Sequence, residues 1–401
     1  AEFNGEGLKV GLDGDKKGGR RSRNGSRGGN NNNNGSRGGG GYKGNGGGSR
    51  SGGGSSHRKG NSGGVGGGGD RSRRKRGLIT PLFYFYRRMQ PQTFYSNGKL
   101  LLTGEYLVID GAEAIAIPTK KGQSLSVKET EEGSQLIWKS WTYDKQCWLD
   151  VHFSLPDFSI EKSSDEDKSK WLQKLLISVR QLNPSFLAKT NSIEVKTNLD
   201  FPRDWGLGSS STLINNVAQW AQVDPFVLHF KVSNGSGYDI ACAKEDSPIV
   251  YSKQHKIQTI NPIELEKSFF DQVFFVHLNK KQNSFDAVTS YNDIKTEIEL
   301  QDCIESLNQI TNKFIQADTL QQWEAAMNEH EYLISTILEQ ETIKEKLFPM
   351  YPNSIKSLGA WGGDFIMACG SIKDANYFIE RGYNTVTFFN QMLLEYPINR
   401  Y

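Results

Sequence analysis

Twenty-nine of the 43 glycines in this 401-residue chain fall within its first 88 residues, and that concentration separates a stretch with nothing to bury from one able to build a core. From Gly18 to Gly77 the sequence is glycine, serine, asparagine and arginine, with Asn30 to Asn34 uninterrupted and almost no large apolar side chain. Nothing there offsets the entropy of ordering a backbone, so residues 1–88 are expected to be a disordered arm. Nineteen basic and five acidic residues give the arm a formal +14 and leave −11 on residues 89–401. An Arg-rich arm could neutralise phosphates, which is the one route to a nucleic-acid partner. Organelle transit peptides share the Arg and Ser content, but the glycine blocks forbid their amphipathic helix. A linker, tag or upstream translated stretch, with Met89 as the native start, accounts for the composition most simply.

Residues 89–401 are long enough for one large domain or two ordinary ones. Cys147, Cys242, Cys303 and Cys369 are too far apart for a paired-cysteine metal motif or a dense disulfide framework, so a reducing, cytoplasmic setting is expected. No run of about eighteen apolar residues offers a membrane span, and no apolar h-region marks a secretory signal. Oligomeric state has no signature in the sequence. Short apolar runs at Lys99 to Thr103, Tyr106 to Asp110 and Ala114 to Pro118 read as buried strands around tight turns, and alternating segments at Gln123 to Lys128, Leu136 to Trp141 and Trp148 to Leu155 extend a sheet. A helix opens near Ser163 to Lys168 and stops before Pro184, and a strand follows at Ile193 to Thr197. Beyond Ser247 a strand at Val273 to Leu278 starts a second unit. Two long helices follow, the second capped by Asp318, and then strands at Phe365 to Cys369 and Thr385 to Phe389. The expected class is α+β, with an N-terminal domain over residues 89–247 and a C-terminal one over residues 248–401.

Three glycine-bearing stretches carry chemistry. Pro202-Arg203-Asp204-Trp205-Gly206-Leu207-Gly208-Ser209-Ser210-Ser211-Thr212 lies between a strand and an apolar helix. Glycines let backbone approach an anion, and the amides opening the helix point at it with the positive end of the dipole. Serines stand where a Walker A loop requires Gly-Lys-Ser/Thr; Ser209, Ser210 and Ser211 can offer hydroxyls to phosphate or Mg²⁺. A polar cap after a glycine turn is the plainer alternative. Asn234-Gly235-Ser236-Gly237-Tyr238-Asp239 delivers one carboxylate beside small residues, able to accept a hydroxyl proton or simply to cap a turn. Gly359-Ala360-Trp361-Gly362-Gly363-Asp364 again frees backbone donors beside a strand.

Taken with Gly98-Lys99-Leu100-Leu101-Leu102-Thr103-Gly104-Glu105-Tyr106, these stretches resemble, in order and separation, the GHMP superfamily of small-molecule kinases over about residues 93–396. Gly-Glu-Tyr, Gly-Ser-Gly-Tyr-Asp and Gly-Gly-Asp are most similar to phosphomevalonate kinase and its relatives. The resemblance implies a ribosomal-protein-S5-like N-terminal domain, a ferredoxin-like C-terminal domain, ATP and Mg²⁺ between them, and a small-molecule phosphoryl acceptor. Carried over by position, Gly206, Leu207, Gly208, Ser209, Ser210 and Ser211 would hold the ATP phosphates, with Ser210 on the metal. Asp239 would take the catalytic aspartate position, Lys99 would offset charge on the transferring phosphoryl, and Gly359, Gly362 and Gly363 would close the site. Arg203, Lys244, Lys280 and Lys281 are the cations nearest these motifs if the acceptor is a phosphomonoester. The sequence departs from the pattern at Trp361, where a small residue is usual and an indole could narrow the cleft. It departs again at Val227-Leu228-His229, where mevalonate kinases carry a metal-binding glutamate. A nucleotide-binding regulator without turnover is the alternative function.

Overall fold

The computed structural model describes residues 91–394 apart from 131–132, 189–190, 283 and 296–299. The expected disordered arm, residues 1–88, lies outside them. In chain order the elements are β1 (Gln92–Leu101), β2 (Ala114–Glu129), β3 (Gln135–Trp141), β4 (Cys147–Ser154), β5 (Ile160–Ser163), α1 (Glu166–Leu182), β6 (Ile193–Leu199), α2 (Ser209–Ala221), α3 (Pro225–Val232), α4 (Tyr238–Lys244), β7 (Ile249–Gln254) and β8 (Ile257–Pro262). They continue with β9 (Val273–His277), α5 (Ser284–Ile294), α6 (Leu300–Gln316), α7 (Leu320–Leu338), α8 (Ile343–Leu347), β10 (Ile355–Ser357), β11 (Phe365–Cys369), α9 (Ile372–Ile379), β12 (Val386–Phe388) and α10 (Phe389–Met392).

One mixed sheet runs β5-β4-β3-β6-β2-β7-β8 with β1 paired to β2, and an antiparallel sheet runs β10-β11-β9-β12. Among the described residues only β3 and β6 pair in parallel, the chain between them crossing through β4, β5 and α1. Alternation sets the faces: Leu136, Trp138 and Ser140 of β3 are buried while the residues between them are half-exposed. The inward set packs with Leu172, Leu175, Leu176 and Val179 of α1 and Ile214, Val217 and Ala218 of α2. Asp165 caps α1 by accepting from the Lys168 amide, and Glu166 and Asp167 complement the dipole of its first turn.

Several local expectations are revised. β2 is one strand of sixteen residues rather than two, running through Pro118 and Gly122. On one side it pairs with β7 over Ala114–Ala116 and with β6 over Gln123–Glu129, neither of which reaches Pro118. On the other side β1 sets Lys99 opposite Pro118, and the Lys99 amide turns away to the Leu207 carbonyl, so the imino residue takes no bond from this pair. Tyr106–Asp110 is not a strand but a 3₁₀ turn over Leu107–Ile109, because Gly104 at φ +95° and Tyr106 at φ +62° swing the chain back on itself. The cap of α7 is Thr319, which forms a reciprocal capping box with Gln322, rather than Asp318. The first sheet extends past residue 247 through β7 and β8, two strands beyond the expected boundary. Nor does each sheet keep its own core. Leu100, Leu102, Ile117 and Leu207 from the first layer share one cluster with Phe275, Phe314, Trp323 and Phe365 from the second, and the described residues all fall in one compact unit. Among the described residues no helix is long and apolar enough to cross a membrane.

Candidate active site

The phosphate-loop stretch connects β6 to α2. Gly208 caps α2 in the left-handed conformation (φ +86°) with no side-chain bond, and the first helical bond runs from the Thr212 amide to the Gly208 carbonyl at 3.0 Å. The amides of Ser209, Ser210 and Ser211 thus have no intrahelical acceptor and point out of the helix end. Ser209 is half-buried and Ser210 exposed, and their hydroxyls bond to no described residue. Ser211 differs from the sequence expectation: it is buried and donates to the Gly208 carbonyl at 2.9 Å, so its hydroxyl supports the loop from beneath. Leu207 is also buried, its side chain in the shared core and its carbonyl turned to β1.

That backbone brings in the first motif. The Lys99 amide donates to the Leu207 carbonyl at 3.1 Å. Gly98 makes the approach feasible, since a Cβ there would lie 3.0 Å from the same carbonyl and 2.5 Å from Thr119 Oγ1. The Lys99 side chain then lies along Gly208, where a Cβ would meet its Cγ at 3.2 Å. Burial opposes the ammonium charge. The Tyr238 hydroxyl, Asp364 and Asp239 around it nevertheless raise its pKa above the usual lysine range. Its Nζ stands 5.5 Å from the Tyr238 ring centroid.

Tyr238 and Asp239 open α4, which is capped by left-handed Gly237 at φ +96°. Asp239 is half-buried, and its Oδ1 accepts from the Ile240 amide at 3.0 Å. Asp364 arrives from the opposite side at the end of the last glycine turn. Its amide donates to the Lys280 carbonyl at 2.7 Å, its Oδ1 accepts from the Gln282 amide at 3.1 Å, and its carboxylate rests directly against Gly206. Burial raises the Asp364 pKa, with Lys99 pulling the other way. Lys99 is therefore the point at which three distant motifs meet. Tyr238 and Asp364 lie within the glycine motifs, and it is the tertiary structure that turns them toward Lys99.

The remaining candidates divide. Gly363 packs against the 280–282 loop, its absent Cβ leaving room for Gln282 Cβ and the Lys280 carbonyl. Gly359 and Gly362 have positive φ with nothing within 4 Å of where a Cβ would stand. Trp361 is 5 % exposed and turns away from the phosphate loop into a cluster with Tyr106, Leu107, Tyr291, Ile334 and Ile337, so it does not narrow the cleft beside Gly208. Lys281 Nζ donates to the Arg203 carbonyl at 3.0 Å, and the Arg203 guanidinium sits 3.9 Å from the Trp148 ring centroid; burial and the Arg203 charge lower the Lys281 pKa. Lys244 and Lys280 are exposed. His229 is buried on α3 with both ring nitrogens unpartnered.

The donor set fits a triphosphate: unclaimed helix-end amides, two free hydroxyls and a half-buried ammonium. Mg²⁺, a hard ion that retains waters and takes one or two protein oxygens, could be held by Ser210 Oγ or by Asp239. Among the described residues no group of three or more His, Cys, Asp or Glu could hold a metal ion by itself, so phosphate oxygens would have to complete the shell.

No family model matches the chain, and neither does any curated protein. Solved structures do. Mevalonate kinase of L. major, determined with R-mevalonate, aligns at a TM-score of 0.52 and 16% identity over 74% of this chain and 94% of its own. Phosphomevalonate kinase of Streptococcus pneumoniae, with phosphomevalonate and AMPPNP, aligns at 0.55 and 14% over 74% and 98%. Galactokinase of Lactococcus lactis, with galactose, aligns at 0.54 and 13% over 79% and 98%. With nearly the whole of each neighbour covered, and with the two sheets and the glycine turns placed as described, the fold of this chain is that of the GHMP kinase superfamily.

Proposed function

We propose that this protein is an ATP-dependent kinase that transfers the γ-phosphoryl group to a small metabolite, in the mevalonate and phosphomevalonate branch. One observation carries the reading: Lys99 lies along Gly208 at the open end of α2 and is held electrostatically by Asp239 and Asp364 from two other motifs. Phosphoryl transfer asks a protein chiefly for positioning and charge stabilisation, and this constellation supplies both.

The α2 amides and the Ser209 and Ser210 hydroxyls would bind the β- and γ-phosphates, with Gly206 and Gly208 keeping side chains out of the way. Mg²⁺, held by Ser210 and Asp239, would supply charge neutralisation between phosphates. Lys99, its charge reinforced by its neighbours, would offset the negative charge on the phosphoryl in flight. For an alcohol acceptor, Asp239 accepts the hydroxyl proton as the oxygen attacks. A phosphomonoester is already largely ionised at neutral pH, its second pKa being about 6, and Asp239 then orients rather than deprotonates. Gly-Glu-Tyr and Gly-Gly-Asp favour the mevalonate branch, and the neighbours determined with mevalonate and phosphomevalonate support it.

A coupled ADP-release assay over sugars, homoserine, mevalonate and its phosphates tests the proposal. One acceptor should stimulate release, and Asp239→Ala should abolish it with thermal stability retained. Silence across the panel removes the kinase reading. If ATP still raises the melting temperature, the nucleotide-binding regulator stands in its place, a reading favoured by the buried His229 where a metal-binding carboxylate is expected.

A further inference from the structure

Four charged or titratable side chains outside the phosphate site are buried together. Glu105, Lys356 and His330 are each 0 % exposed and Glu331 is 3 %. Lys356 Nζ donates to Glu105 Oε1 at 2.5 Å and to the Ser357 carbonyl at 2.8 Å. The Gly104 amide donates to His330 Nε2 at 3.3 Å, and the same nitrogen lies 2.9 Å from Glu105 Oε2. Glu331 accepts from the Ser357 amide at 2.8 Å, the Ser357 hydroxyl at 2.9 Å and the Ile343 amide at 3.3 Å. Burial raises the Glu331 pKa, while Lys356 and these donors pull it back down. The network ties the Gly104–Tyr106 turn of the first motif to α7 and to both ends of the Lys356–Ser357 step in β10.

β10 runs directly into the last glycine turn. The Leu358 amide pairs with the Phe365 carbonyl at 3.2 Å, and from there to Asp364 the chain is held at few points. Gly359 and Gly362 touch nothing where a Cβ would be, and Trp361 anchors only through its cluster with Tyr106, the neighbour of Glu105. Beyond the turn, Asp364 bears on Gly206 and on Lys99. The turn is thus registered at its first strand by Lys356 and at its midpoint by Trp361, and both registers refer to the same two residues of the first motif.

We propose that Glu105 and Lys356 are positioning residues: their buried ion pair, seated by His330 and Glu331, fixes the 358–364 turn and through Asp364 sets Lys99 and Gly206 for the nucleotide. The part of this that concerns nucleotide rests on the kinase reading; the coupling of the two turns does not. A buried pair of this kind contributes little by mere attraction, because desolvation offsets it, but removing one partner strands the other. Its effect is then felt locally, at the backbone that carries the stranded charge.

Hydrogen exchange of the full chain, followed by mass spectrometry well below the unfolding midpoint, reads the turn directly. Glu105→Gln should accelerate exchange at residues 358–364 by about tenfold and weaken ATP binding, measured by calorimetry, by a similar factor, with exchange in α1 unchanged. Adding Lys356→Gln removes the stranded ammonium and should return both readings to within about threefold of wild type. Ser357→Ala deletes a bond to Glu331 and no charge; it should move the same segment in the same direction by less, and it serves if Glu105→Gln does not fold. Unchanged exchange at residues 358–364 in whichever variant folds overturns the proposal. So does an ATP-binding defect that Lys356→Gln fails to relieve, since Glu105 would then act on the ligand itself. If the wild-type chain binds no ATP, the kinase reading fails, and the exchange data still decide whether the two turns are coupled.

Discussion

Replacing Gly206 by alanine tests the contact between the phosphate loop and the last glycine turn. Gly206 sits at φ +65°, so any side chain there carries a left-handed backbone cost of about 1 kcal/mol. Its Cβ would also enter the space of the Asp364 carboxylate, coming within 2.9 Å of Oδ1 and closer still to the rest of the group. Asp364 can yield only by giving up the Gln282 amide, a charge-assisted hydrogen bond of about 2 kcal/mol. The expected loss is about 3 kcal/mol in urea denaturation. Gly359→Ala serves as the control: φ is +64° and nothing lies within 4 Å, so only the backbone cost of about 1 kcal/mol remains. Combining Gly206→Ala with Asp364→Ala should recover most of the excess, a coupling energy of about 2 kcal/mol. Equal losses for Gly206→Ala and Gly359→Ala, or a coupling below about 0.5 kcal/mol, would refute the placement of Asp364 on the loop.

Two further expectations concern buried polar groups. Because burial raises the Asp364 pKa above its ordinary 3.8, the folded protein binds that proton more tightly than the unfolded chain, and the group's contribution to stability declines as pH rises through the raised value. Asp364→Asn should therefore gain relative to wild type between pH 4 and pH 7 in urea midpoints; a relative loss over that range would contradict it. Trp361→Phe keeps the ring in the Tyr106 cluster and drops a buried indole N–H without a partner, so stability should change by less than about 1 kcal/mol, whereas Trp361→Ala should cost about 3–5 kcal/mol. Calorimetric unfolding decides this, and a loss of several kcal/mol in the phenylalanine variant would show that the indole nitrogen is engaged.

The site was legible in proportion to how local its cause is. A glycine that opens a helix needs only its own φ and the next four residues, so Gly208, the unclaimed amides after it and Gly237 before Asp239 could be marked in the text of the chain. Lys99 could be marked only through the motif, since its neighbours Tyr238 and Asp364 are 139 and 265 positions further along. Ser211 looks identical to Ser209 and Ser210 in one dimension; helical rotation turns it inward. The Glu105 network was invisible for the same reason. A lysine in a strand and a Glu beside a glycine are ordinary surface residues until another layer covers both.

By itself, then, the sequence determined the class of fold, the run of strands and helices, and the loops at which an anion can be met, because periodicity and left-handed glycines are properties of neighbours along the chain. Tertiary structure decided which strands share a sheet, as when β7 and β8 joined the first, and that a single core serves both layers. It also decided where Trp361 points and which charges neutralise one another. Those outcomes depend on burial, and burial is a property of what packs on a residue from elsewhere in the chain. An ammonium such as that of Lys356 is tolerated at zero exposure only because a carboxylate 251 positions away folds against it.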